Sequence, residues 1–441
     1  MTLCDVGQVK QIDVLPDDIL LEIFDFYVSE DDAAIEAWQT LVHVCRRWRS
    51  LVLASPRRLN LRLLCTRDTP VRNSLSIWTA LPLVVRVHLI PPLGKDNTIA
   101  ALGESERVYD VEVYCSGWER KPFWAALQVP FPELTDLTVE TNPSIPTPVI
   151  PDSFLDGSAP RLRRFRLWGV TFPGLPKLHL VAPHLVHLGI SHTHNSWYFT
   201  SEAMATLLTA LSSLKTLSLE FLSPSCPISG RVPEPLRPPP SKRSVIPALT
   251  CFYFSGDIDY LENLVTFIDT PRLYSLFVVF FDEINRDITR IAQFIDCTPA
   301  LRALDEAHLR IDYGRPCVAY RSSKSGFDYH LPRFLCTLHS WELSPLKNVC
   351  NSLHFCSTVE DLFMKHKHDE YVYEAWRWSE LLLQFTTVKN LYISKAFAPD
   401  IVGILKELVR SGITITEVFP TLQNIFVEEP KPSGPLQEEI R

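Results

Sequence analysis

The chain has 441 residues, 46% of them hydrophobic and 21% charged, with a net charge of -8. That is enough apolar surface for a large core or a long repeat array, and the acidic balance leaves no overall basic field for nucleic acid. The 35 prolines against 15 glycines point to frequent stiff connections and away from glycine-rich phosphate loops; neither G-x-x-x-x-G-K-S/T nor G-x-G-x-x-G occurs.

The first stretch, MTLCDVGQVKQIDV, lacks the apolar segment of a signal peptide. No run of 18 apolar residues follows anywhere, and the most apolar short stretch, LYSLFVVFF, has the length of a strand. The 11 cysteines are scattered, odd in number and contain no C-x-x-C, so they read as reduced, mostly buried thiols. The chain reads as a soluble protein of the cytoplasm or nucleus, with no membrane partner.

In IDVLPDDILLEIFDFYV, Pro16 suits a first helical position. Asp17 and Asp18 then oppose the helix dipole. Ile19, Leu20, Ile23, Phe24 and Tyr27 recur at helical spacing. An acidic connection follows, and a second helix is expected from about Ala33 to Ala54, striped with Trp38, Leu41, Val42, Cys45, Trp48 and Val52. Arg46, Arg47 and Arg49 fall in its later turns, the favourable end for cations. A pair of helices this small cannot hide so many large apolar groups by itself. Either the rest of the chain covers them or a partner does.

These residues carry a resemblance. LPDDILLEIFDFY followed by TLVHVCRRWRSLV resembles an F-box, and the likeness covers about a tenth of the chain. The pattern is Leu-Pro, a helix with paired apolar residues, then Val-Cys-x-x-Trp; here it is met by Leu15, Pro16, Ile19, Leu20, Ile23, Phe24, Val44, Cys45, Arg47 and Trp48. The linker SEDDAAIEAW is longer than usual. The continuation ASPRRLNLRLLCTRDTPVRNSLSIWTALPLVVR is similar to the large F-box families of mushroom-forming fungi. The resemblance implies a substrate receptor of an SCF-type cullin–RING ubiquitin ligase. It implies that Leu15, Pro16, Ile19, Leu20, Ile23, Phe24, Val44, Cys45 and Trp48 grip a Skp-family adaptor, and through it a cullin. It implies no catalysis and no cofactor in this chain. The alternative is that the helices only cap the repeats that follow.

From residue 80 a short line returns: apolar, two residues, apolar, one residue, apolar. It begins at Val84, Val108, Leu134, Leu162, Leu185, Leu214, Leu249, Leu273, Val359, Val388 and Leu422, with LRALDE at Leu301 as a weaker copy inside the longest gap. Such a period is the leucine-rich-repeat signature, in which stacked units share a core none could build alone. The expected architecture is therefore α/β: an F-box-like helical module over residues 1–60, a connecting segment over 61–80, an irregular leucine-rich-repeat-like solenoid over 81–430 and a tail over 431–441. Helices are expected in SEAMATLLTALSSL, ITRIAQFIDCTPAL and APDIVGILKELVRSG. The proline-rich stretch 223–247 reads as an extruded loop. Residues 311–343 read as a hairpin or a hidden repeat.

Candidate chemistry is thin. His179, His184, His187, His192 and His194 read as surface or loop histidines rather than a zinc site, since no cysteine or paired carboxylate lies near them in sequence. MKHKHDE reads as a solvated charged stretch, and Cys45 as a core thiol. No G-x-S-x-G or H-E-x-x-H occurs. Nine arginines between residues 46 and 86 read as a basic face for an acidic partner. In each repeat line, the residue between the last two inward ones faces out. These positions run Arg86, Glu112, Thr138, Arg166, Gly189 and Ser218, then Tyr253, Phe277, Phe363, Tyr392 and Phe426. The aromatic row either binds a target protein or is covered by the chain itself.

Overall fold

A computed structural model describes residues 15–29, 37–66, 71–89, 95–115, 120–141, 149–151, 153–193, 199–221, 238, 240, 242–281, 288–302, 304–312, 315–322, 332–338, 344–366, 381–395, 397–410, 412 and 414–428. Two compact units emerge: residues 1–145 with 150–164, and residues 146–149 with 165–441.

The first unit opens with three helices, α1 (Asp17–Ser29), α2 (Ala37–Val44) and α3 (Arg46–Ala54). A single helix over 33–54 does not form. Cys45 breaks it: its backbone is extended (φ -156°, ψ 171°) and its thiol accepts the Trp48 N–H. A side chain that accepts from the third residue on acts as an N-cap, so α3 starts afresh. Four parallel strands follow, β1 (Leu63–Cys65), β2 (Leu83–Leu89), β3 (Val108–Cys115) and β4 (Asp136–Thr141), paired in chain order. β1 lies in what the sequence presents as a connecting segment.

The second unit holds β5 (Arg164–Trp168), β6 (His187–Thr193), β7 (Thr216–Phe221), β8 (Ser244–Val245), β9 (Cys251–Gly256), β10 (Ile268–Asp269), β11 (Ser275–Phe280), β12 (Glu306–Asp312), β13 (Arg315–Arg321), β14 (Phe334–Leu338), β15 (Asp361–His366), β16 (Asn390–Ser394) and β17 (Asn424–Glu428). Its sheet runs β5-β6-β7-β9-β11-β14-β13-β12-β15-β16-β17. The pairings of β13 with β12 and β14 are antiparallel; the other registered pairs of this sheet are parallel. The chain passes from β11 to β12, three places along the sheet, and β13 and β14 fold back to fill the two places between. The expected hairpin at 311–343 thus becomes part of the sheet. β8 and β10 make a small separate pair.

Each of the eleven repeat lines coincides with a strand. LRALDE does not: Pro299–Arg302 is helical, and the strand begins at Glu306. The apolar line there is Leu304, Ala307, Leu309, three residues later, and all three are buried. The expected returning helices form at Ser201–Ala210, Thr289–Cys297 and Ala398–Arg410. Most of the proline-rich stretch lies outside the described residues, but its end is no loop, since Ser244 and Val245 form β8 and Ile246 is buried.

Along β7 and β9 every second residue is buried, so one sheet face meets the helices and the other meets water. A backbone fork links the units of the repeat. The carbonyl before one strand accepts two successive N–H groups of the next unit: Lys215 O from Thr250 and Cys251, Thr250 O from Tyr274 and Ser275, Glu360 O from Lys389 and Asn390, and Lys389 O from Gln423 and Asn424. This fixes register wherever it recurs. Gly256 is required where it stands: a Cβ there would lie 2.8 Å from the Phe221 ring and 2.9 Å from that of Phe254.

Glu262, in the helix Ile258–Phe267, is buried. Burial raises its pKa, while the N–H groups it accepts from Ile291 and Arg290 pull it down. Those bonds measure 2.8 Å and 3.2 Å and cap the first turn of the helix Thr289–Cys297. Replacing Glu262 by Ala leaves buried donors unpaired, which costs about 1–3 kcal/mol. A fall in the melting temperature of the full chain is the expected result; an unchanged melt would show that these bonds contribute nothing.

Candidate functional site

α1 carries apolar residues on two faces. Leu20, Leu21 and Phe24 are buried, and the Phe24 ring lies 4.7 Å from Trp48. Ile19, Ile23, Phe26 and Tyr27, at 44–68% exposure, form a stripe on the other face. Val44 and Leu53 are exposed as well. Arg47 holds the start of α1: its guanidinium reaches Asp17 at 2.6 Å and the Leu15 carbonyl at 2.5 Å. Both partners are partly exposed, so the ion pair itself is worth little; its effect is to orient the Leu15-Pro16 entry. Trp38 is fully buried, donates its indole N–H to the Arg62 carbonyl at 3.0 Å and meets the edge of Trp78. The module therefore packs on its own unit through α2.

The nine sequence-derived docking residues divide. Pro16, Ile19, Ile23 and Val44 are exposed. Leu15, Cys45 and Trp48 are half-buried, while Leu20 and Phe24 face inward and hold the module together. Phe26, at 68% exposure, joins the exposed stripe; its spacing of seven from Ile19 was the available signal. Arg46, Arg47 and Arg49 sit in the first turns of α3 and not at a helix end that favours cations. Of the nine arginines between residues 46 and 86, five have partners within the unit, while Arg46, Arg57 and Arg72 are exposed and Arg67 lies outside the described residues. Arg47 pairs with Asp17, Arg58 with Glu22, Arg49 bonds the Val42 carbonyl, Arg62 lies over the Tyr109 ring and Arg86 faces Asp110 and Glu112.

In the second unit the aromatic positions share the outer sheet face but not one unbroken row. Tyr253 and Phe277 are register partners. Next come Leu335, Ala319 and His308, supplied by β14, β13 and β12. Phe363, Tyr392 and Phe426 follow. These last rings stack face to face: His308 on Phe363 at 4.4 Å, Phe363 on Tyr392 at 4.3 Å, Tyr392 on Phe426 at 4.8 Å. Lys365 stands 5.5 Å over the Phe363 ring. Burial lowers the His308 pKa, against a raising contribution from Glu306, which favours the uncharged ring within the stack. Beside the stack runs a polar ladder in which Asn424 donates to Asn390 at 2.8 Å and Asn390 to Asp361 at 2.7 Å. Sequence reasoning missed His308 because its strand was placed three residues early.

The outer face of the first unit is charged: Arg86, Asp110, Glu112 and Asp136 lie on neighbouring strands. Among the histidines, His179, His184 and His187 are not buried; the side chain of His192 and the whole of His194 lie outside the described residues, as do residues 367–370 of MKHKHDE. Among the described residues no three of His, Cys, Asp and Glu are grouped to hold a metal, and no helix is long and apolar enough to cross a membrane.

Residues 12–62 match the family model described as F-box-like. The match spans α1, α2 and α3 and ends just before β1. The chain thus carries an F-box-like helical region at its N-terminus, followed by a large mixed α/β part with many strands. No curated protein matches the chain.

Burial pushes the Asp110 carboxyl up to about 6, with Asp136 raising it further and Arg86 opposing. A folded-state pKa above the unfolded value means that stability from this group is fully present below about 3.8 and lost as pH rises through about 6. Asp110→Asn removes that loss, of order 3 kcal/mol at neutral pH. The variant is expected to melt above the wild type near pH 8, with the difference closing toward pH 4; equal melting temperatures at both would contradict the assignment.

Proposed function

We propose that the protein is a non-catalytic substrate receptor of an SCF-type cullin–RING ubiquitin ligase. The F-box docks a Skp-family adaptor, and through it a cullin. The larger part acts as an irregular leucine-rich-repeat-like solenoid that holds a target protein. Bringing target and ubiquitin-loaded enzyme together raises the effective concentration of the reacting groups, which needs no reactive side chain in the receptor.

One observation carries the adaptor reading. α1 has a second apolar face, Ile19, Ile23, Phe26 and Tyr27, left in water while the first is buried. A cap needs one apolar face. The alternative, that the helices only close the end of the repeats, accounts for Trp38 on Trp78 and Arg62 but leaves this stripe without a purpose. In the proposed complex Pro16, Ile19, Ile23 and Val44 touch the adaptor directly, Leu15, Cys45 and Trp48 line the margin, and Leu20 and Phe24 act by holding α1 in place. The target face is the outer sheet surface bearing Tyr253, Phe277, Phe363, Tyr392 and Phe426.

Co-purification with the adaptor tests this. Ile19→Asp/Ile23→Asp places charge on the exposed stripe without touching the buried face, and each lost apolar contact costs about 2 kcal/mol, roughly thirtyfold in affinity. Loss of the adaptor with an unchanged melting temperature is expected. Retention of the adaptor by this variant would leave the helices as a cap.

A further inference from the structure

β17 is an edge strand. In the described sheet it has β16 on one side and no strand on the other. The Asn424 N–H bonds the Lys389 carbonyl toward β16, and in a strand successive backbone groups point to opposite sides. The N–H and C=O groups of Ile425 and Val427 therefore point off the edge. Their side chains are 57% and 61% exposed, and Phe426 between them is 43% exposed. Phe426 ends the aromatic stack: one ring face lies on Tyr392, and the other looks off the same edge. A flat, apolar, unpaired edge is a template for another strand.

We propose that this edge pairs with the same edge of a second copy of the chain, antiparallel about a two-fold axis through Phe426. The strand is complementary to itself in that register. Ile425 falls opposite Val427 of the second copy, and Val427 opposite its Ile425, so the outward backbone groups on each side find donors and acceptors on the other. Phe426 then meets Phe426 in a non-hydrogen-bonded pair, the position where antiparallel Cα atoms approach to about 4.5 Å and side chains are closest. The stack of His308, Phe363, Tyr392 and Phe426 runs on across the axis into its symmetry mate. A shared patch contacting itself is the signature of a two-fold interface. The segment that follows, residues 429–441, is a poor occupant of the same edge. Pro430, Pro432 and Pro435 each lack the N–H that a pairing strand must donate.

The experiment uses the full chain and does not depend on adaptor docking. Sedimentation over a wide concentration range should give a dimer that Val427→Lys converts to a monomer with an unchanged far-UV circular dichroism spectrum. Phe426→Cys, treated with oxidised glutathione, should form a reducible covalent dimer, because a thiol pair at this position meets disulfide geometry. Val402→Cys, 50% exposed on the helix Ala398–Arg410, should stay unlinked. A wild type that is monomeric at every concentration, with Phe426→Cys linking no faster than Val402→Cys, would overturn the proposal and give the edge to the C-terminal segment or to a target.

Discussion

A helix of 13 residues with apolar side chains on two faces can bury one of them inside a three-helix module and no more. α1 turns Leu20, Leu21 and Phe24 inward against α3 and leaves Ile19, Ile23, Phe26 and Tyr27 in water. The rest of the N-terminal unit is arranged around that constraint. Cys45 ends one helix and starts the next, which lets Trp48 meet Phe24 while Trp38 turns to Trp78. Arg47 ties the entry of α1 to α3. The result is a packed three-helix module that presents an apolar stripe instead of closing over it.

The larger part obeys a different constraint. A strand of five or six residues cannot bury its own apolar face, so each unit depends on the next. The forked carbonyls before the strands hold consecutive units in register, and the core residues between them are almost wholly excluded from water. That same dependence makes an end of the array costly, and among the described residues no strand pairs with the outer edge of β17. β17 shows this cost in the exposure of Ile425, Phe426 and Val427. Along the outer face, polar residues give way to stacked rings, and the rings hide much of each other's surface. What stays accessible is their edges and one face of Phe426.

Much of this was legible in the residues. Pro16 with Asp17 and Asp18 marked the start of α1, and eleven apolar lines marked eleven strands, because a two-residue period with large inward side chains is hard to mistake. Three features were not legible. The break at Cys45 depends on one extended residue inside a continuous apolar stripe, which periodicity cannot see. The strand at Glu306 was misplaced because Ala307 stands where a large residue usually signals the line. The detour through β13 and β14 is a matter of topology, so Phe277 and Phe363, adjacent in the repeat count, lie on strands separated by three others. In the F-box helices spacing alone merges two faces: Leu20 and Phe24 turn inward while Phe26 joins the outward stripe.

The central claim is that the outward stripe of α1 is where the adaptor binds. Hydrogen–deuterium exchange on the full chain, with and without a Skp-family adaptor, tests it most directly. The account predicts that the adaptor slows exchange across residues 16–27 and around Val44 and leaves the strands of the larger unit unchanged. Protection confined to those strands, with α1 unaffected, would contradict it.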